Sequence, residues 1–390
     1  MSRVDTNIKI IRFIQSNVNL KEYSGFGGLH KIMTKDQHQE LKNILGPDVY
    51  KNVMASCKTA YYTHKDIISF IYQSLVKMGF TGGKLLEPAC GHGAFIFNMP
   101  SNLIENCIIH AVELDRLSAR ITKAICPYAK ILNHGFEATK FKANTFDAIV
   151  GNPPYGSQTL IDSQFSDING MALHHFFTAK SVHLLKDKGV MAFVLPQYCF
   201  DNLHDHPRHI MAQHGSLIAA FRLPDNMFDN AKVTIDIVFY TKQKLNNIAF
   251  TEVKNIQVKG HKLRMNEYYV NHPENILGEL DTCNMYGQRI GLTVKSSDDK
   301  ETIFKQLSQK IDGLPVCIDN KKNTTDFDVF ASIDQALEKL KQKQATQNEL
   351  QAKLTDFEIE KIIFLKQALL EQEKSFRELQ NQIKTTINQI

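Results

Sequence analysis

The chain of 390 residues has no tryptophan, so any aromatic stacking must come from its 24 Phe and 12 Tyr. Its seven cysteines, Cys57, Cys90, Cys107, Cys126, Cys199, Cys283 and Cys317, are scattered, odd in number and never paired as C-x-x-C. That usage suits a reducing compartment better than a disulfide framework, and the cysteines read as small core residues. No apolar run approaches the ~20 residues of a membrane helix. The N-terminal stretch also lacks the apolar core and small-residue cleavage site of a signal peptide. The expectation is a cytoplasmic protein with no membrane partner. There is no G-x-x-x-x-G-K-[ST] loop and no nuclease-like pair of acids with a lysine on a strand, so neither helicase nor cleavage activity is expected. Nor is there a strong excess of one charge: 46 Lys and Arg against 41 Asp and Glu give a net +5. That charge permits a nucleic-acid partner only if it is clustered.

With 43% hydrophobic and 22% charged residues, the chain can bury a sizeable core, and its length predicts two or three structural units. Residues 1–59 read as short helices around the glycine-rich Ser24-Gly25-Phe26-Gly27-Gly28 loop. From 60 to 245, apolar runs rich in Ile, Val and Phe alternate with amphipathic stretches, the pattern of a doubly wound, parallel α/β sheet. Candidate strands are 84–87, 108–113, 130–132, 147–151, 189–195, 217–222 and 234–241. Residues 246–331 form a mixed segment to which the pattern assigns no fold. The remainder, 332–390, has neither Gly nor Pro beyond about residue 333, and Ile362, Leu369, Phe376, Ile383 and Ile390 recur every seventh residue. Leu365 and Leu379 take intervening d-type sites, while Gln372 and Thr386 interrupt them, so an imperfect coiled coil is expected. Its seam suits a homodimer or a protein partner slightly better than a solvated hairpin.

Three segments carry chemistry. In Glu87-Pro88-Ala89-Cys90-Gly91-His92-Gly93-Ala94-Phe95, a short strand runs into a turn with alternate glycines and then a helix, so a ligand can approach backbone N–H groups. Alone this is weak. The strand at 108–113 then ends in Glu113-Leu114-Asp115, which puts a carboxylate at the neighbouring strand's edge roughly 20 residues on, the spacing that holds a ribose. The loop lacks the third glycine of a dinucleotide fingerprint and opens with Glu87, which would repel a pyrophosphate. An acid there suits a nucleoside cofactor with a positive charge, an amino group or a sulfonium. The third segment ends a buried strand in Asn152-Pro153-Pro154-Tyr155. The prolines stiffen the backbone, the Asn152 side-chain oxygen and the Pro153 carbonyl can accept both hydrogens of a planar amino group, and Tyr155 offers a ring for a flat substrate.

In this order, the E-P-A-C-G-H-G-A-F, V-E-L-D and N-P-P-Y motifs resemble those of S-adenosylmethionine-dependent DNA methyltransferases that modify the N6 amino group of adenine. With residues 23–29 and 60–63 added, the chain more closely resembles the methylase domain of phage and mobile-element helicase–methylase proteins, over about residues 20–245. The resemblance implies a seven-stranded Rossmann-like methyltransferase sheet, S-adenosylmethionine as cofactor and DNA as partner. Carried over by position, Tyr62 and Thr63 hold the methionine carboxylate, and Glu87, Pro88, Ala89, Gly91 and Gly93 surround the methionine and ribose. Glu113 binds the ribose, and Leu114 and Phe177 close on the cofactor's adenine, with Phe136 beside them. Asn152, Pro153, Pro154 and Tyr155 form the catalytic loop. One departure stands out: where many relatives have an acid after the third strand, this chain has Gly135, leaving Glu137 or backbone to bind the adenine amino group.

The two acceptors would hold the target amine with its lone pair on the methyl group, so no strong general base is needed. A paired base must be flipped out to reach them, and Phe228 or Phe239 could sandwich it with Tyr155. Two other readings share the motif: methylation of a glutamine amide or RNA adenine, and an inactive subunit working through its coiled coil. No metal site is expected, because His204, His206, His209 and His214 do not set up a ligand pair with a third partner. A DNA substrate requires Lys and Arg from the N-terminal helices and from beyond Lys244 to gather beside 152–155.

Overall fold

The structure is a computed structural model, and it describes residues 2–12, 22–29, 32–57, 62–203, 206–228, 232–245, 248–284 and 289–318. Residues 1–319 form one compact unit, while the expected coiled coil at 332–390 lies outside the described residues.

All seven apolar runs become strands of one sheet: β1 (Gly83–Glu87), β2 (Cys107–Val112), β3 (Lys130–Leu132), β4 (Phe146–Gly151), β5 (Leu185–Pro196), β6 (Ser216–Leu223) and β7 (Ile235–Thr241). Their order is β3-β2-β1-β4-β5-β7-β6. Neighbours from β3 to β5 are parallel, whereas β7 runs antiparallel to both β5 and β6. Side chains alternate between two cores, as the period of two requires. Leu85, Ile109, Ala111, Ala148, Val150 and Val190 face one layer. Leu86, Val112, Ile149, Met191 and Phe193 face the other. Helix Lys65–Lys77 covers the first face through Ile67, Phe70 and Ile71. Helices Leu173–Leu184 and His206–His214 cover the second through Phe176, Val182, Ile210 and Met211. A sheet buried on both faces explains why its central strands read as unbroken apolar runs. The doubly wound α/β class expected from the sequence is therefore observed.

This strand order places the functional site. The chain leaves β1 for β2 and β3 on one side and returns to β4 on the other. The connections diverge there and open a crevice at the carboxyl ends of β1, β2 and β4. On the β1–β2 side, helices Arg3–Arg12, Lys35–Leu45 and Pro47–Ser56 pack Val4, Ile8, Leu41 and Val53 against Leu117 and Ile121 of helix Arg116–Ile125. A capping box, Thr34 with Gln37, starts the second of these helices.

The described part of 246–331 contains two hairpins, Val253–Val258 with His261–Asn266 and Glu279–Asn284 with Ile290–Lys295, and helix Lys300–Gln309. The first turns at Lys259-Gly260, with φ of 49° and 80°, the paired positive values that match strand twist in a tight hairpin. Phe250, Met265, Tyr268, Tyr269 and Leu292 join one layer of the sheet's core. Ile303, Phe304 and Leu307 join the other. The cysteines are free thiols, and Cys57, Cys90, Cys126 and Cys199 are buried. Among the described residues no helix is long and apolar enough to cross a membrane.

Candidate active site

β1 ends at Glu87, and the turn after it is held by its neighbours. Cys90 donates its N–H to the Val112 carbonyl of β2 at 2.9 Å. Gly91 adopts a left-handed φ of 54°, open to a residue without a Cβ at no steric cost. Its N–H donates to Glu113 Oε2 at 2.7 Å, and the Asp115 N–H donates to Glu113 Oε1, also at 2.7 Å. The acid at the edge of β2 thus organises the glycine turn of β1.

Around this turn lies a cleft of about 510 Å3. Of the residues singled out in the sequence, Tyr62, Thr63, Glu87, Pro88, Ala89, Gly91, Glu113, Leu114, Phe136, Asn152, Pro154 and Phe177 line it. Gly93, Pro153 and Tyr155 are not among its lining. Gly93, at φ 86°, starts the short helix Ala94–Phe97, and a Cβ there would lie 2.8 Å from Thr122 Cγ2. Its missing side chain is needed for close packing against helix Arg116–Ile125. Tyr155 is 6% exposed, and its hydroxyl donates to the Val194 carbonyl of β5 at 3.2 Å, which fixes the catalytic-loop candidate to the neighbouring strand.

The cleft is acidic, and the acids at its centre are buried. Burial raises the Glu113 carboxyl to about 7, with the Asp115 charge adding to the rise and the backbone N–H groups of Asp115, Gly91 and Leu114 opposing it. Burial and the Glu113 carboxylate push Glu87 well above the ordinary carboxyl range, and Glu87 Oε2 has no hydrogen-bond partner. Thr63 Oγ1, His92 Nδ1 and Asp115 Oδ1 are also buried without partners. A buried acid lacking a counter-charge, beside a carboxylate with lone pairs to spare, suits a ligand that brings a cation and hydroxyl groups. S-adenosylmethionine has both.

At the other end of the cleft the Phe136 and Phe177 rings stand 4.9 Å apart at 35°, with Leu114, 75% exposed, at the rim. A buried ammonium sets them: Lys180 Nζ donates to Asp162 Oδ2 at 2.5 Å and to the Phe136 carbonyl at 2.6 Å, and lies 4.7 Å over the Phe136 ring. Gly135 and Glu137 both line this end. A Cβ on Gly135 would fall 2.0 Å from Glu137 Oε1, so the Glu137 carboxylate occupies the space that an acid at 135 would need.

The glycine-rich N-terminal loop has a task that the sequence reading missed. A Cβ on Gly25, at φ 64°, would lie 1.9 Å from the Tyr62 hydroxyl, so only glycine lets the loop close over Tyr62. Helix Arg3–Arg12 holds the loop there: Arg3 donates to Ser24 Oγ and to the Ser24 carbonyl at 2.9 Å each, and Asn7 Nδ2 to the Gly25 carbonyl at 2.6 Å. Tyr62 in turn meets His92 edge-on, centroids 4.7 Å apart. Arg3, Asn7, Asp162 and Lys180 carry no local signal of these roles, because each partner is remote in sequence.

On the side of Asn152, β4 pairs with β1 and ends at Gly151, whose φ of 151° is a backbone conformation that residues with a Cβ rarely adopt. Asn152 and Pro154 thereby share the cleft wall with Glu87 and Pro88. Phe239 is removed from the candidates for sandwiching a base, since it is fully buried in β7 against Phe70 and Phe221. Phe228 is buried in the same core. Of the histidines at 204–214, His204 lies outside the described residues.

Residues 42–228 match the family model for the Eco57I restriction-modification methylase. The chain is 24% identical over 218 residues, 54% of its length, to defense against restriction protein B of Escherichia phage P1, and that stretch is 9% of the phage protein. It is 34% identical over 126 residues, 30% of its length, to modification methylase CviBIII of Paramecium bursaria Chlorella virus NC1A, 31% of that protein. The chain thus spans well under half the length of these curated relatives. Among solved structures, the methyltransferase subunit of a type I restriction-modification system from Streptococcus thermophilus matches with a TM-score of 0.42 and 17% identity, over 70% of this chain and 73% of that one. The family and relatives matched bear out the resemblance drawn from the motifs.

Proposed function

We propose that this chain transfers a methyl group from S-adenosylmethionine to the N6 amino group of adenine in DNA. The observation that carries the reading is one cleft in which Glu87 and Glu113 share a wall with Asn152 and Pro154. The bound cofactor would supply an electrophilic methyl group on a sulfonium. The chain's residues do the rest by placement. Glu113 accepts the ribose hydroxyls on lone pairs not used by the Gly91 and Asp115 amides. Glu87, costly to ionise in the free protein, becomes the counter-charge of the cationic ligand. Phe136, Phe177 and Leu114 enclose the cofactor's adenine, and Glu137 takes its amino hydrogens in place of the acid missing at 135.

The target amine is a weak nucleophile because its lone pair is delocalised into the ring. The Asn152 side-chain oxygen and the Pro153 carbonyl accept its two hydrogens, favour a pyramidal nitrogen and stabilise the developing positive charge. Tyr155, anchored on Val194, stacks on the base, which must leave the duplex to reach the loop. DNA as substrate is supported by the matched modification methylase and restriction-modification family.

Labelled methyl transfer measured side by side on DNA, RNA and protein tests this. The expected product is N6-methyladenine in DNA, with Asn152→Ala slower by about 10²–10³-fold and cofactor binding retained. Label in glutamine or in RNA instead, or bound cofactor with no transfer, overturns the reading.

A further inference from the structure

We infer that His174, His175 and Cys199 form a binding site for a zinc-class divalent cation, which locks the Asn152–Tyr155 loop to the segment that follows β5. The three side chains are buried, each offers one ligand atom, and those atoms lie within 4.8 Å of one another. They come from two elements: the histidines open helix Leu173–Leu184, and Cys199 sits in the short helix Tyr198–Asp201 after β5.

An unpartnered ring nitrogen on His174 separates this group from an ordinary cluster of core residues. His174 is 5% exposed. Its Nδ1 is buried without a hydrogen-bond partner. A buried ring nitrogen left unpaired costs free energy unless a ligand takes its lone pair, and a neutral imidazole nitrogen is the commonest protein ligand to a metal. The rings of His174 and His175 lie 4.3 Å apart, and His174 meets Tyr198 edge-on at 4.9 Å, so packing also holds the donors in place.

Two imidazoles and a thiolate select Zn2+ or Co2+ over Mg2+ or Ca2+, which prefer oxygen. Binding forms a metal–sulfur bond as the Cys199 S–H bond breaks, and the proton passes to solvent. The cation would act on the candidate active site through the start of helix Leu173–Leu184: the Leu173 N–H donates at 3.2 Å to the carbonyl of Gly156, which follows Tyr155 directly. The three residues position the loop and touch no substrate in this reading.

The test uses the full chain, reduced and stripped of metal, titrated with Co2+ alone and then with Zn2+. Saturation at about one Co2+ per chain is expected, with thiolate-to-cobalt charge-transfer absorption in the near ultraviolet and release of about one proton. Zn2+ should bleach the band. His174→Ala and Cys199→Ala should lose it, and Cys126→Ala, in the opposite core layer, should keep it. No charge-transfer band in the folded wild-type chain, or a band that survives both substitutions, overturns the inference. Because the readout is independent of methyl transfer, its failure leaves the proposed function to be judged separately.

Discussion

Glu113 sits where two demands conflict. It must be ionised to accept ribose hydroxyls, but burial raises it to about 7. Proton loss from Glu113 favours binding, so affinity for S-adenosylmethionine should increase as pH rises from 6 to 8. Glu113 contributes up to about tenfold per pH unit below about 7, and above that the remaining rise comes from Glu87, which must also lose its proton to face the cationic ligand. Calorimetric titration across this range checks the sign, and Glu113→Gln should bind weakly and remove the step. Glu137 offers a second check on the same pocket. Its carboxylate fills the space beside Gly135, so Glu137→Ala should cost one charge-assisted hydrogen bond of about 1.5–3 kcal/mol. Cofactor binding roughly tenfold to a hundredfold weaker is expected; unchanged affinity would return the adenine contact to the backbone.

Arg222 of β6 shows how elements far apart in sequence are joined. It is fully buried and pairs with two acids. Nε and Nη2 donate to Asp236 of β7 at 2.8 and 2.9 Å, and Nη1 donates to Asp201 at 2.7 Å. Its guanidinium lies 4.1 Å over the Tyr269 ring, and Asp201 also accepts the Asn266 N–H at 2.8 Å. One side chain thus fastens the antiparallel edge of the sheet to the first hairpin and to the short helix carrying Cys199. Arg222→Ala would leave the fully buried Asp236 and the partly buried Asp201 without their cation. A loss of about 3–5 kcal/mol in unfolding free energy is expected, read from urea denaturation. The Lys180–Asp162 pair is similarly buried, but it supports Phe136 instead of the sheet edge. Neither pair is legible in the sequence. A lone Lys or Arg in an apolar stretch gives no sign of which distant acid will meet it.

For the molecule as a whole, the net +5 is too small to drive tight nonspecific binding if spread evenly. If DNA is the substrate, its affinity should still depend on phosphate contacts, with the logarithm of the binding constant falling linearly with the logarithm of salt concentration. Fluorescence anisotropy with a labelled duplex between low and physiological salt checks this, and a flat response would argue against a DNA-bound state built on the chain's basic residues. The strands were legible because a sheet covered on both faces needs continuous apolar runs, and the glycine turn and Asn152–Tyr155 because turn chemistry and short-range spacing lie in adjacent residues. The hairpins after 248 were not, since their short strands alternate weakly and gain their apolar partners only from the sheet. The sequence by itself determined the α/β class, the seven strands and most of the side chains lining the cleft. Only the tertiary structure decided that Gly25 admits Tyr62, that Lys180 positions Phe136, that Phe239 is core and that His174, His175 and Cys199 meet. Those outcomes depend on packing between residues remote along the chain, where local periodicity and turn preference carry no information.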